Sequence, residues 1–170
     1  MIIFDIDGVL ADNSHRLHYA LVDKNYDKYY SEEEVLKDEP IHQGLMLLHD
    51  LQKIGVEIHF VTGRNECCEK ATASWLYRHG LNIKKGMKLC CRDEKDYRPS
   101  PIVKVELIKG LFEALDKERA GTFSTMEPYS GLFIDDDPEN VIAVEKAFPN
   151  LKGIVFGIER LKDYEVRRQQ

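Results

Sequence analysis

Short apolar runs alternate with stretches of helical periodicity along this chain. Residues Ile2 to Ile6 read as a buried strand. Ile41, Leu45, Leu48, Leu51 and Ile54 fall on one face of a helix that ends near Gly55. Val56 to Val61 predicts a second strand. A helix from Glu66 to His79 follows, anchored by Trp75 and Leu76 and stopped at Gly80. Met87 to Cys91 predicts a third strand. Beyond Pro99 and Pro101, the positions Ile102, Val105, Ile108, Leu111, Phe112 and Leu115 mark another helix. Leu132 to Ile134 predicts a fourth strand, Pro138 to Phe148 a short helix, and Gly153 to Ile158 a fifth strand; the polar tail ending Arg167-Arg168-Gln169-Gln170 is expected to fray.

Alternation of this kind predicts an α/β fold, one domain over residues 1–170, with a five-stranded parallel sheet covered by helices on both faces. Residues 11–40 are long for a plain strand-to-helix link and carry Tyr19, Tyr26, Tyr29 and Tyr30. They are expected to form a small cap over the site, the alternative being a helical excursion packed elsewhere.

Composition narrows the partners. Hydrophobic residues make up 43% and charged residues 32% of 170, as in a soluble globular protein. No apolar run approaches the ~20 residues a bilayer span requires, and no charged leader precedes an apolar segment, so a cytoplasmic protein without membrane contact is expected. The net charge of −6 argues against a basic coat for duplex nucleic acid, although a local basic pocket is compatible with it. Ser31-Glu32-Glu33-Glu34 reads as a solvated face or the first turn of a helix. The adjacent pairs Cys67-Cys68 and Cys90-Cys91 lack zinc-site spacing and are expected to be free thiols in a reducing compartment.

In a parallel sheet, sites gather beyond the carboxyl ends of the strands. Three predicted strands end in polar residues: Asp5 and Asp7, then Thr62, then Asp135, Asp136 and Asp137. Asp5 and Asp7, two residues apart, are expected on one side of an extended strand. Clustered carboxylates repel one another unless a cation joins them, and Mg²⁺ prefers such all-oxygen donors. An Asp can also attack phosphorus itself, given a second carboxyl to move protons, a lysine to offset charge and a glycine to admit the backbone. Gly8, Thr62-Gly63-Arg64, Lys104 and the Asp135-Asp136 pair supply these parts. The bland alternative, a helix cap, suits Asp137 before Pro138. An EF-hand fails because Gly8 comes too early and no closing Glu follows.

Asp5-Ile6-Asp7-Gly8-Val9-Leu10, Val61-Thr62-Gly63, Lys104 and Ile134-Asp135-Asp136 together resemble the haloacid-dehalogenase-like (HAD) phosphohydrolase superfamily, with its Rossmannoid three-layer fold. The resemblance implies a Mg²⁺-dependent phosphatase. Asp5 would be nucleophile and metal ligand. Asp7 would be general acid and base, with its backbone carbonyl on the metal. Thr62 and Lys104 would hold the phosphoryl group, and Asp135 and Asp136 would anchor the ion. Arg16, Thr62-Gly63-Arg64-Asn65-Glu66 and Cys90-Cys91-Arg92 further resemble the phosphatase domain of bacteriophage-type polynucleotide kinase/phosphatases, which acts on 3′-phosphate ends. Substrate contacts would then come from Gly8, Gly63, Arg16, Arg64 and Arg92. Two departures stand out: Asp137 replaces the arginine that family tends to place after the paired acids, and no G-x-x-x-x-G-K-[ST] kinase loop is present. A phosphatase of small metabolites or free nucleotides and a non-catalytic phospholigand-binding module are the alternatives. No obligate protein partner is implied.

Overall fold

The structure, a computed structural model, describes residues 1–81, 86–119 and 129–157. In chain order the elements are β1 (Ile2–Phe4), β2 (Ala11–Asp12), α1 (Leu17–Leu21), α2 (Tyr26–Tyr29), α3 (Glu32–Val35), β3 (Glu39–Pro40), α4 (His42–Lys53), β4 (Ile58–Asn65), α5 (Glu69–Arg78), β5 (Leu89–Arg92), α6 (Ser100–Arg119), β6 (Gly131–Asp135), α7 (Pro138–Ala147) and β7 (Leu151–Val155). Five of the strands form one sheet in the order β5-β4-β1-β6-β7, with every pairing parallel. The predicted α/β class and sheet are those observed.

Side-chain alternation in the strands divides the core into two layers. Ile2 and Phe4 of β1 join Phe60, Leu45, Leu48, Trp75 and Leu76 on the face covered by α4 and α5. Ile3 points the other way, to Val61, Phe133, Ile108, Leu111, Val141 and Val144 on the α6 and α7 face. β1 lies at the centre because its residues are buried from both sides. Gly44 lets α4 approach closely: a Cβ there would lie 1.9 Å from the Val9 carbonyl oxygen.

Several boundaries differ from the sequence reading. β4 continues to Asn65, so Thr62 and Arg64 lie within a strand. The Asn65 side chain accepts a hydrogen bond from the Cys67 N–H and starts a 3₁₀ turn, Glu66–Cys68, before α5. The third strand begins at Leu89 and the fifth at Leu151, the latter two residues before Gly153. Ile158 and the tail lie outside the described residues. Ile54, expected on the apolar face, caps α4 and is 74% exposed. Ser31 caps α3, whose first turn holds Glu32, Glu33 and Glu34. All four cysteines are free thiols. Among the described residues no helix is long and apolar enough to cross a membrane.

Candidate active site

Neighbouring strands bring the acids together. The Asp5 N–H continues the β1 ladder to the Ile134 carbonyl, so Asp5 and Asp135 stand at adjacent strand ends. Lys104, in the first turns of α6, reaches between them: its Nζ lies 2.7 Å from Asp5 Oδ1 and 3.2 Å from Asp135 Oδ2, and donates to the Val61 carbonyl at 2.9 Å. Lys104 and Asp135 are almost wholly buried, and Asp5 is 6% exposed. Burial raises the Asp5 pKa well above the usual carboxylate range, Asp135 and Asp7 push the same way, and Lys104 opposes them. The Lys104 pKa is raised despite its burial, because Asp135 and Asp5 face it. Asp135 is held by the Asp137 N–H at 2.8 Å and by Asn140 Nδ2, which donates to its two oxygens at 3.0 and 3.1 Å.

Asp5, Asp135 and Asp136 each offer a carboxylate oxygen within 4.8 Å of the others. Such an all-oxygen donor set suits a hard divalent cation. The residues therefore fit Mg²⁺. Gly8 makes room for this set: its φ is +76°, and a Cβ would fall 2.1 Å from Asp136 Oδ2. Asp137, by contrast, caps α7 through the Glu139 N–H with Pro138 at the first helical position.

Asp7, like Asp5, lies beyond the end of β1. β1 ends at Phe4, and the chain turns so that the Leu10 and Ala11 N–H groups both donate to the Ile6 carbonyl. The Asp7 carboxylate stands apart from the metal-competent set and meets two arginines instead. Arg64 donates from Nε to Oδ2 at 3.0 Å and from NH2 to Oδ1 at 2.6 Å, and Arg16 NH2 reaches Oδ1 at 3.2 Å. Burial would raise the Asp7 pKa, but Arg64 and then Arg16 outweigh it and hold the group below its ordinary value. The arrangement favours the Asp7 anion.

A cleft of about 460 Å³ is lined by Asp5, Asp7, Gly8, Gly63, Arg64, Arg92, Lys104 and Asp136 among the residues singled out from sequence. Thr62, Arg16 and Asp135 are not part of its lining. Thr62 is fully buried and its Oγ1 accepts the Arg64 N–H at 3.2 Å. Arg16 is fully buried too, its guanidinium shared among Asp38, Asp7 and the Tyr29 carbonyl. All of these Arg16 donors face protein oxygens, where the sequence reading placed a direct substrate contact. Arg92 differs: its NH1 donates to the carbonyls of Asp96 and Arg98, while its buried Nε has no partner among the described residues.

Tyr29 and Tyr30 of the 11–40 segment also line the cleft, and Tyr30 Oη lies 3.5 Å from the Gly63 carbonyl oxygen. Two further residues escaped the sequence reading. Asp38 is fully buried between Arg16 and Arg64, although Lys37-Asp38-Glu39-Pro40 reads as ordinary surface charge. Asn140 reaches Asp135 because a cap and one helical turn return the chain to the strand end; only that turn geometry could have suggested it.

The family model described as "Polynucleotide kinase PNKP phosphatase domain" matches residues 1–114. No curated protein sequence matches the chain. Among solved structures, similar folds include the "Pnkp1/Rnl/Hen1 complex" (20% identity, TM-score 0.60), where 90% of this chain covers 44% of the other. A second structure of that "RNA repair complex" matches at 20% identity and TM-score 0.56, again over 90% of this chain and 40% of the other. This chain thus spans less than half the length of those two. A "putative phosphatase from Clostridium difficile" is similar at 12% identity and TM-score 0.59, covering 95% of this chain and 96% of its own. These structural likenesses establish the HAD-like fold, and the family match carries the assignment: the chain belongs to the phosphohydrolase family of polynucleotide kinase PNKP phosphatase domains.

Proposed function

We propose that this protein is a magnesium-dependent phosphomonoesterase that works through an aspartyl phosphate on Asp5. The observation that carries this reading is the Lys104 ammonium, 2.7 Å from Asp5 and 3.2 Å from Asp135, beside three carboxylates at the sheet's carboxyl edge. Asp5, Asp135, Asp136 and the Asp7 backbone carbonyl would hold the ion. When bound, Mg²⁺ offsets the charge of these groups and of the phosphoryl oxygens.

An Asp5 carboxylate oxygen attacks phosphorus while the bond to the leaving oxygen breaks, and Asp7 gives that oxygen its proton. Water then attacks the phosphorus, Asp7 takes its proton, the bond to Asp5 breaks and inorganic phosphate departs. Lys104 stabilises the charge on the phosphoryl group and holds Asp5 in line. Thr62 would add its hydroxyl, and Gly8 and Gly63 would bring backbone close to the phosphate.

For substrate, we infer a nucleotide or polynucleotide 3′-phosphate end in a reducing, cytoplasmic setting. The family match and Arg92, whose guanidinium group lines the cleft, support it. The 11–40 segment, which sets Tyr29 and Tyr30 against the cleft, would act as its lid. Asp12 and Asp137 at the same cleft favour a second reading, a small phosphomonoester that avoids an acidic rim.

The test is hydrolysis of p-nitrophenyl phosphate with Mg²⁺ and with EDTA, using Asp5→Asn as control. Turnover that needs the metal and disappears in the variant is expected; equal turnover in both proteins would remove Asp5 as the nucleophile, and no turnover in wild type would leave a phospholigand-binding module. Nucleoside 3′- and 5′-monophosphates compared with 3′-phosphorylated oligonucleotides would then separate the two substrate readings.

A further inference from the structure

We propose that Asp38 is a positioning residue, which orients Asp7 toward the leaving oxygen by holding both of its arginine partners. The inference rests on the phosphomonoesterase reading above. Asp38 comes from the end of the 11–40 segment, immediately before β3, Arg16 from its beginning, and Arg64 from β4. Asp38 Oδ1 accepts from Arg16 Nε at 2.7 Å; Oδ2 accepts from Arg16 NH2 at 2.9 Å and from Arg64 NH2 at 2.6 Å. Its backbone carbonyl is fixed in turn by the indole N–H of Trp75 at 2.7 Å, deep in the core.

The side chains of Asp38, Arg16 and Arg64 are wholly excluded from water, whereas Asp7 keeps 21% of its side chain exposed. Burying such a group of charges is a poor route to stability, because desolvation consumes most of the attraction. The arrangement gains its sense from what the arginines do with their remaining donors. Arg64 presents Nε and NH2 as a fork to both Asp7 oxygens, and Arg16 adds NH2 to one of them. Asp38 is therefore the anchored end of two rigid guanidinium planes whose free edges set the Asp7 carboxylate.

It also balances charge. Two guanidiniums face two carboxylates; without Asp38 a surplus positive charge would stand beside the cleft and draw the substrate phosphate away from Asp5. No motif reading of the chain points to Asp38, because its partners lie 22 and 26 residues away in sequence.

Leaving-group dependence tests the proposal. A nitrophenolate departs readily without a proton, whereas phenols with electron-rich rings and alcohols need one. For wild type, log kcat/KM across substituted phenyl phosphates and one alkyl phosphomonoester is expected to depend weakly on leaving-group pKa. For Asp38→Asn, kcat/KM should fall about 100-fold on the alkyl ester and less than about 10-fold on p-nitrophenyl phosphate, within the range general acids supply. Because kcat/KM reports only steps through phosphoryl transfer, later hydrolysis of the aspartyl phosphate does not blur the slope. Thermal unfolding confirms that the variant is folded. If it is not, Asp38→Glu, which keeps the charge and displaces the carboxylate, carries the same prediction with a smaller slope change. A folded variant that loses equally on all esters, or loses nothing, overturns the role of Asp38. A wild-type protein inactive on every ester overturns the phosphomonoesterase reading instead.

Discussion

Lys104 illustrates how much one residue can carry. Its ammonium meets both Asp5 and Asp135, and it is tied by a third bond to the Val61 carbonyl on the neighbouring strand. Replacing it with alanine removes a charge-stabilising donor from a buried site. Removing one such donor costs about 10²–10³ in kcat, and Lys104→Ala is expected to show a loss of that size in steady-state assays, with far-UV circular dichroism unchanged. An unaltered rate would mean that the ammonium serves only to fold the acid cluster. Gly8 acts by absence: the positive φ and the 2.1 Å approach of Asp136 leave no space for a side chain where the motif turns. Arg64 and Arg16 show the converse. Both are candidate anion contacts from sequence, and in the folded chain both hold Asp7 and Asp38.

At the scale of elements, β4 has two functions that meet in its register with β5. Its carboxyl end carries Thr62 to Arg64 to the site, while its amino end holds His59, a fully buried side chain. The Lys88 N–H donates to His59 Nδ1 at 3.2 Å, so the ring proton sits on Nε2, facing Glu57 at 3.2 Å. Burial lowers the His59 pKa below its ordinary 6.5, against the pull of Glu57. The folded state therefore binds this proton less readily than the unfolded chain. The associated stability is complete above about pH 6.5 and is lost as the pH falls toward the depressed folded pKa. A slope of at most about 1.4 kcal/mol per pH unit from this one group is expected in that window. Urea unfolding at pH 7.5, 6.5 and 5.5 measures it, and His59→Gln should flatten the decline; an identical decline in that variant would assign the acid lability to carboxylates.

The whole molecule gathers three carboxylates at the edge of a five-stranded sheet. Asp5, Asp135 and Asp136 converge from strand ends that are fixed by both core layers, so their repulsion is built into the folded state and absent from the extended chain. A cation that binds only the folded form should stabilise it by about 2.7 kcal/mol at a concentration 100 times its Kd. The melting temperature is thus expected to rise with added Mg²⁺, to fall back with EDTA, and to lose most of its response in Asp136→Asn. A wild-type melting temperature indifferent to Mg²⁺ would show that these carboxylates form no metal site. The net charge of −6 acts at the same scale, and makes a weak general affinity for polyanions the expected background against which any end recognition operates.

The buried strand Ile2–Phe4, the four-part motif series and the parallel α/β order were legible in the chain because each rests on local signals: apolar runs, helical spacing, and acids placed directly after strands. Asp5, Asp135, Asp136 and Lys104 could be named for the same reason, since a strand end or first helical turn fixes where each side chain goes. What sequence could not carry was the partnership across distant segments. Asp38 reads as one more acid in a charged stretch until folding places it between Arg16 and Arg64, and Asp7 meets those same two arginines only in the folded chain. Local spacing determines which groups stand at the edge of the sheet. Tertiary packing alone decides which of them are forced together out of water, and there the desolvated charges choose their partners by geometry rather than by order along the chain.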